Sequence, residues 1–513
     1  MKNILFLLLS FACIQVFSQP GALDKTFSND GEIRLLVGSY GSGASAVTTQ
    51  PDGKILIGGY YEKSNQQNDL LVVRLNTDGS LDKTFSGNGA AKADFPGFDA
   101  NATAIVVQSN LKMVAVGSSS GGFGVAARFN ADGSTDNSFG TSGKISVQFD
   151  GEFDAAVIQP DGKIVVAGTY YGGDFDPTQF AVFRFNSNGT PDNSFGTNGM
   201  VFTIVGEDGL AFAHSMLIQP DGKIVVGGQA QQNGENFGIV RYNSNGTLDA
   251  SFGSNGIVIT PVGSGISNAV GNGVTIQPDG KILQSGFYLT SQKEYAFAVL
   301  RYNTNGSLDN SFAGNGKAPV VFSNEAYASS IALQSNGEII VAGSATNASF
   351  KYDVALARLK SNGTIDNSFG SSGKVTTDFG GGDDHGNACV LQKDGKVIVA
   401  GTRTLNNENR IIAARYLTAA SFAGTVSDEN TSNQTIDVSN IKTYPNPVLN
   451  ILHIDGLTSP ASITITDISG NVLIQQTIEN STQTINVNKL HPGVYNITIG
   501  QNGKISNQKF IKQ

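Results

Sequence analysis

The chain contains no tryptophan, only two cysteines and only four histidines among 513 residues. Cys13 lies near the amino terminus and Cys389 far along the chain, so a form that has lost its first residues has no internal disulfide. The sequence also lacks Gly-x-Ser-x-Gly, a Walker loop and His-Glu-x-x-His, which removes the commonest hydrolase, nucleotide and zinc-peptidase signatures. Stability must therefore come from packing rather than from cross-links.

Positive charge is in the minority, with 33 Lys and Arg against 42 Asp and Glu and a net charge of −9. This balance argues against nucleic acid or an anionic membrane as the main partner. The apolar stretch 4–17 is too short to span a membrane. We therefore expect a chain that is not membrane-spanning and does not bind nucleic acid.

What the sequence has instead is a repeat, in which an Arg at the end of an apolar run is followed by an Asp eight residues later. Fixed-period self-similarity of this kind indicates a repeat architecture. The pairs are Arg74/Asp82, Arg128/Asp136, Arg184/Asp192, Arg241/Asp249, Arg301/Asp309 and Arg358/Asp366.

A second block, Gln-Pro-Asp-Gly-Lys or a degenerate form of it, also occurs once in each unit, as at 159–163 and 219–223. Pro-Asp-Gly is a sequence that favours the tight turn of a β-hairpin. The unit around residue 220 contains four apolar, β-branched runs, each long enough for one strand. The central runs are apolar on both faces, which suits sheets stacked against neighbours. We therefore predict an all-β, seven-bladed β-propeller with four-stranded blades over residues 19–417. A β-solenoid is the alternative.

Two residues of the repeat have no local partner: Arg415 has no Asp after it, and Asp24 has no Arg before it. Such orphans are expected when an array is cut open and closed into a ring. We predict that residues 32–37 complete the last blade by pairing with 411–416, which removes two exposed sheet edges.

Seven of the ten Arg in the chain occupy the repeat position, which favours a structural role in which each Arg pairs with a repeat Asp. The alternative is a ring of Arg in a channel that binds anions. The Leu-Asp-x-Ser-Phe and Gln-Pro-Asp-Gly-Lys blocks resemble delta-60 repeats, a bacterial propeller-type repeat family, over about residues 22–416. The resemblance implies architecture and carries no catalytic residues.

The two ends have different compositions from the repeats. Residues 1–18 fit a secretory signal peptide with cleavage before Gln19, while Cys13 raises a lipoprotein alternative. Residues 418–440 are polar and indicate a linker. Residues 441–513 contain short alternating runs with Gly turns, which predicts a small immunoglobulin-like β-sandwich.

The C-terminal segment resembles the type A sorting domain of the type IX secretion system of Bacteroidetes. The residues that carry the resemblance are Tyr444, Pro445, Asn446, Pro447, Gly470, Gly493, Tyr495 and Lys512. It implies recognition by an outer-membrane export machine, removal of the domain, and a protein that is secreted or held at the outer-membrane surface. An accessory adhesion module is the alternative.

Candidate ligand residues are few. Asp383, His385 and Cys389 form the densest cluster and could hold a transition metal. The turn 76–82 places oxygens at alternate positions, which hints at calcium, but it lacks the Gly and closing Glu of an EF-hand and fits Asx turns. We therefore expect no cofactor, with calcium as the alternative.

Three function classes remain: a binding or adhesion propeller with a glycan or surface-protein ligand, a polysaccharide hydrolase or lyase, and a structural surface component. An enzyme needs residues that break the repeat, such as paired carboxylates at one channel mouth. The sequence suggests no persuasive set, and the missing tryptophan weakens both the enzyme and the strong glycan-binder hypotheses. The sequence therefore predicts an exported propeller that is not an enzyme.

Overall fold

The structure is a computed structural model. It describes residues 17–64, 67–173, 177–207, 209–263, 267–419, 421–422, 442–444, 448–455, 461–467, 472–478, 483–490, 493–501 and 504–512. Residues 1–16 of the predicted signal peptide 1–18, with Cys13, and nearly all of the predicted linker lie outside these ranges. The chain divides into two compact units, 1–424 and 425–513. Within the described residues, no helix is long and apolar enough to cross a membrane.

The first unit contains seven four-stranded antiparallel blades, of which blades four and five are joined by a short parallel bridge between Gly234–Glu235 and Ser267–Asn268, and this confirms the predicted propeller. Two strands precede the first sheet: β1 (Phe17–Ser18) and β2 (Glu32–Leu35). Blade one contains β3 (Gly41–Thr49), β4 (Ile55–Glu62), β5 (Asn68–Leu75) and β6 (Ala90–Ala93). Blade two contains β7 (Ala100–Val107), β8 (Met113–Ser119), β9 (Phe123–Phe129) and β10 (Lys144–Gln148). Blade three contains β11 (Gly151–Ile158), β12 (Ile164–Tyr170), β13 (Gln179–Phe185) and β14 (Met200–Thr203).

The remaining blades repeat the same order. Blade four contains β15 (Ala211–Ile218), β16 (Ile224–Gln231), β17 (Gly234–Tyr242) and β18 (Ile257–Thr260). Blade five contains β19 (Ser267–Ile276), β20 (Ile282–Leu289), β21 (Tyr295–Tyr302) and β22 (Lys317–Val320). Blade six contains β23 (Ala326–Leu333), β24 (Ile339–Thr346), β25 (Tyr352–Leu359) and β26 (Lys374–Thr377). Blade seven begins with β27 (Asp383–Leu391), β28 (Val397–Leu405) and β29 (Glu408–Tyr416), after which β30 (Ser421–Phe422) pairs with β1.

The amino-terminal strand β2 supplies the fourth strand of blade seven. It pairs with β29 in the register Glu32↔Ala414 to Leu35↔Ile411. The first strands of the blades pack against one another in turn, and β27 packs against β3. The ring is therefore closed by the segment that the two orphan residues pointed to.

Sequence chemistry explains each hairpin and core strand. In blade three, the turn after β11 is closed by the Gln159 N–Lys163 O bond of 2.8 Å, and Gly162 adopts a φ of 83°. The following strand buries Val165 and Val166 on opposite faces, each against a neighbouring blade. Apolar residues on both faces of a strand are therefore the signature of stacked blades.

Every innermost strand contains a β-bulge at the same position. The second strand has a glycine opposite each bulge. A side chain is excluded at this position, because its Cβ would lie only 1.7–2.0 Å from a carbonyl oxygen of the first strand. These glycines are Gly59, Gly117, Gly168, Gly228, Gly286, Gly343 and Gly401. The repeat thus fixes where each innermost strand presents an extra residue.

The second unit is a two-sheet antiparallel sandwich, as predicted. One sheet contains β31 (Lys442–Tyr444), β32 (Ile451–Asp455) and β35 (Gln483–Asn486). The other contains β33 (Ala461–Asp467), β34 (Val472–Ile478), β36 (Gly493–Gln501) and β37 (Lys504–Lys512). Its core includes Leu452, Ile463, Ile485 and Ile497.

Candidate functional site

One face of the ring is held by a network that recurs in every blade. In blade four, Arg241 Nε donates to Asp249 Oδ2 at 2.7 Å, and its Nη1 donates to the Thr304 carbonyl of blade five at 2.6 Å. Its guanidinium also lies 4.3 Å from the centroid of the Phe252 ring. Lys223 of the Gln-Pro-Asp-Gly-Lys turn reaches the same Asp249 oxygen at 3.1 Å. One arginine therefore joins its own turn to the next blade.

All seven arginines make the same contacts. The Nε–Oδ2 distances to the repeat aspartates lie between 2.6 and 2.8 Å, including Arg415 with Asp24. Arg415 also donates to the Thr77 carbonyl of blade one, so the same bond crosses the point of closure. The seven side chains are only 3–8% exposed. Their donors are engaged within the protein, which leaves little for an anion in the channel.

The repeat aspartates are ionised because of this network. Burial alone would raise the pKa of each, but the surrounding hydroxyl, backbone N–H and arginine donors, joined by a lysine in every blade except blade six, outweigh it and lower the pKa. For Asp24 the pKa falls to about 2. This face of the ring is therefore a charged but internally neutralised scaffold.

The opposite face carries the loops that differ between blades, together with the half-buried residues of the innermost strands. Three of the bulge residues donate to the carbonyl before the bulge of the next blade, each at 2.7 Å: Thr103 to Phe153, Asn272 to Ala328 and Asn387 to Ala44. The seven bulge residues are Ser45, Thr103, Asp154, His214, Asn272, Ser329 and Asn387. These residues are all polar, they are of five different kinds, and they lie on the innermost strands, which border the channel.

Blade three contributes two carboxyl groups to this channel, Glu152 and Asp154. Burial, reinforced by the charge of Glu152, raises the pKa of Asp154 well above its ordinary value. Asp154 Oδ2 is buried without a hydrogen-bond partner in the protein. Burial and the Glu152 carboxylate also raise the pKa of the Tyr171 phenol. Two neighbouring carboxyl groups, one of them with a raised pKa, are an arrangement that general acid–base chemistry uses.

Blade four places Phe212 and His214 at the equivalent positions. Their rings are parallel, with centroids 6.5 Å apart. Burial lowers the pKa of His214 to about 4, so the imidazole is neutral at physiological pH. A neutral imidazole can accept or donate a hydrogen bond without adding charge to the channel.

Blades five to seven supply an aromatic arc, which we define as Phe287, Tyr295, Tyr327, Tyr352 and His385. Tyr327, on an innermost strand, lies 5.0 Å from both Phe287 and Tyr295 between ring centroids, and 6.0 Å from Tyr352. The rings of Tyr352 and His385 are 4.7 Å apart. The arc therefore runs continuously across three blades.

The predicted metal ligands are not brought together. Asp383 accepts from the Tyr352 backbone N at 3.2 Å and from Lys351 at 3.1 Å, whereas Cys389 bonds to Ser330. His385 belongs to the aromatic arc. Within the described residues, the donor atoms that converge are those of a different group, Asp353, Asp378 and Asp384.

The turn considered for calcium is an Asx turn. Asp78 Oδ1 accepts from the Ser80 N at 2.9 Å and from its hydroxyl at 2.7 Å, so local donors already occupy it.

The predicted sorting residues have separate places. Tyr444 donates to Asp455 Oδ2 at 2.6 Å and stacks on His453, and Tyr495 is buried against Phe510. Gly493 begins β36, and Lys512 ends β37 with only 7% exposure. Pro445, Asn446, Pro447 and Gly470 lie outside the described residues.

Two family profiles match the chain. The β-propeller domain of unknown function DUF5122 matches seven times, at 50–85, 108–139, 159–195, 219–252, 277–312, 334–369 and 392–419. A secretion system C-terminal sorting domain matches residues 442–513. A search of curated proteins found no match.

The chain is similar to several solved structures at low identity. A virginiamycin B lyase from Staphylococcus aureus is 12% identical with a TM-score of 0.44, over 75% of this chain and 98% of that one. PorZ, a surface component of the type IX secretion system of Porphyromonas gingivalis, is 13% identical with a TM-score of 0.39, over 93% and 61%. An α-L-arabinanase from Penicillium chrysogenum is 12% identical with a TM-score of 0.37, over 78% and 98%.

The prediction that the chain is not an enzyme is corrected, because the solved structures to which the chain is similar include a lyase and an arabinanase, so this kind of ring does not exclude an activity. It rested on missing tryptophan and on scattered His and carboxyl groups. Folding instead places Glu152, Asp154 and His214 on neighbouring innermost strands, which the sequence did not reveal because bulges have no local signature. Aligning the blades on the second-strand glycines would have found these positions.

The ring and the C-terminal domain thus match two different families. The chain is a propeller of DUF5122 repeats that ends in a secretion-system C-terminal sorting domain.

Proposed function

We propose that this secreted propeller binds an extracellular polysaccharide at the mouth of its central channel. The observation that carries the proposal is the aromatic arc on the face where the blades differ. Aromatic rings offer flat apolar faces with polar edges, and binding sites combine such surfaces with a few placed polar groups. Tyr and Phe here supply the platform for which tryptophan is absent.

The difference between the two faces supports the same site. The Arg/Asp face repeats the same arginine–aspartate contact in every blade, although Glu338 replaces the lysine in blade six, so this face varies little from blade to blade. Binding residues are expected on variable segments held by a rigid scaffold. The channel mouth is the part of the described ring that has this character.

A glycan array tests the proposal directly, using the chain that begins at Gln19. We expect Tyr327→Ala to weaken binding of a captured glycan by about tenfold, since loss of a stacked aromatic side chain removes roughly 1–1.5 kcal/mol. Phe350→Ala is the matched control, because Phe350 is an 81% exposed aromatic residue outside the arc. Equal binding by both variants would reject the arc as the site.

Cleavage of a polysaccharide, by hydrolysis or elimination, is the second candidate, and the Glu152/Asp154 pair favours it. Two carboxyl groups whose pKa values are separated can divide the acid and base roles. A screen for new reducing ends and for unsaturated products should then detect an activity. Glu152→Gln and Asp154→Asn should abolish this activity, whereas Glu207→Gln, which changes an exposed carboxyl group outside the pair, should retain it. A ring that neither binds nor cleaves any glycan would instead support the structural surface-component alternative.

A further inference from the structure

A charge cluster at the outer part of blade one has its own built-in cation. Asp69 on β5 is buried, and Asp94 follows β6. The Lys63 ammonium lies between them, 2.7 Å from Asp69 Oδ1 and 2.9 Å from Asp94 Oδ1. Two neighbouring carboxylates in a partly buried place need such a counter-ion.

Blade six repeats this arrangement without the lysine. Strand register makes Asp353 the counterpart of Asp69 and Asp378 the counterpart of Asp94. The first residue of the hairpin between the second and third strands is Lys63 in blade one and Asn347 in blade six, and each donates its N–H to a carbonyl four residues on at 2.8 Å. Asn347 Nδ2 donates to Asp353 but brings no charge. The other five blades do not carry Asp at both positions.

A third carboxylate joins the cluster from blade seven. Asp384 is fully buried, and its counterpart at the start of blade two is Ala100. Its Oδ2 accepts from the Phe379 N at 2.7 Å, while its Oδ1 is buried with no hydrogen-bond partner. Oxygens of Asp353, Asp378 and Asp384 lie within 4.8 Å of one another. A buried carboxylate oxygen without a hydrogen-bond partner, set among other carboxylates, is stabilised either by a proton or by a bound cation.

Arg403 is the nearest protein cation, and it does not fill this role. Its Nη2 and Nε donate to the carbonyls of Gly380 and Gly381, at 2.7 and 3.1 Å. Its Nε is 3.9 Å from Asp384 Oδ1, which is beyond hydrogen-bond distance. Lys351 pairs with Asp383 instead. Three carboxylates and one guanidinium leave a charge of about −2, which a divalent cation neutralises.

We propose that a hard divalent cation, with calcium as the probe, binds between Asp353, Asp378 and Asp384 in the place that the Lys63 ammonium occupies in blade one. Clustered carboxylate oxygens are the ligands that calcium prefers. Asp378 is exposed, so the cation enters from solvent. The bound cation joins blades six and seven.

The test is a calcium titration of the chain that begins at Gln19, by calorimetry and thermal melting after chelation, with ionic strength held constant. We expect a dissociation constant on the order of 10⁻⁴–10⁻³ M, as in extracellular calcium modules. The melting temperature of the ring should rise with calcium concentration, as expected for a ligand that binds only the folded state.

Asn347→Lys is the most informative variant, because it introduces into blade six a lysine at the position that Lys63 occupies in blade one. This variant should melt at a higher temperature without calcium, and its melting temperature should no longer rise when calcium is added. Asp384→Asn should weaken calcium binding at least about tenfold. Asp94→Asn in blade one is the matched control and should keep the response. An absent calcium response in the unmodified chain, or an unchanged response in both Asn347→Lys and Asp384→Asn, would overturn the proposal.

Discussion

At the scale of single residues, the repeat arginine is the central contact of the scaffold. Arg241 pairs with Asp249, reaches the Thr304 carbonyl of the next blade and stacks near Phe252. A buried ion pair gains little over an apolar pair, but the loss of one partner is severe because the other charge stays buried. The arginine therefore specifies how neighbouring blades dock.

Replacing Arg241 with Ala should lower the free energy of unfolding of the ring by about 3–5 kcal/mol, because Asp249 loses its buried partner. Chemical denaturation measures this change. Arg410→Ala is the control, because Arg410 forms an exposed pair with Glu408 and surface pairs contribute about 0–1 kcal/mol. Equal stabilities of the two variants would show that the repeat arginines are solvated.

The repeat aspartates predict how stability depends on pH. Their pKa values are lowered in the folded ring, to about 2 for Asp24, so the unfolded chain takes up protons first as the pH falls. Their contribution is complete above the ordinary aspartate pKa and is lost as the pH drops through the lowered values. We expect the ring to lose stability between about pH 4 and 2.

Asp249→Asn isolates one of these contributions. Its deficit relative to the unmodified chain should be largest near neutral pH and should shrink below about pH 4, where Asp249 becomes protonated in the unfolded chain while it stays ionised in the folded ring. Denaturation curves at several pH values measure the difference. A deficit that is independent of pH would mean that the Asp249 charge has no part in stability.

At the scale of elements, β2 is the strand that converts an array into a ring. It completes blade seven, and the chain before it brings Asp24 to Arg415. Without it, β29 would be an exposed edge with free backbone groups, and such edges promote aggregation.

Deleting residues 19–36 should therefore lower the melting temperature and produce oligomers, detected by size-exclusion chromatography with light scattering. The chain that begins at Gln19 is the control and should remain monodisperse. If the two proteins behave alike, closure by β2 is not needed for the ring.

At the scale of the whole molecule, the chain combines a ring with a C-terminal sorting domain that has its own core. We expect the sorting domain to act as an address for the type IX secretion machinery. Deleting residues 441–513 should leave the melting transition of the ring unchanged and abolish export in the native host, measured by cell fractionation. Peptides from 450–513 on the mature surface protein, found by mass spectrometry, would contradict removal of the domain after export.

The sequence by itself determined the architecture. The eight-residue Arg–Asp spacing, the Pro-Asp-Gly turns and the orphans Asp24 and Arg415 are local signals, and repetition averages out the ambiguity of each one. The ring and its closure followed from them, and the sorting domain followed from the separate motifs of the C-terminal segment.

Only the tertiary structure decided which unlike residues meet. Glu152 and His214 share the channel, and Asp384 of blade seven completes a cluster with Asp353 and Asp378 of blade six. These groupings arise where neighbouring blades face each other, because the bulges and the stacking of sheets place side chains that no spacing within one repeat relates. The repeated residues form the scaffold and can be recognised in the sequence. The residues that depart from the repeat could be grouped into sites only after the ring had brought them together.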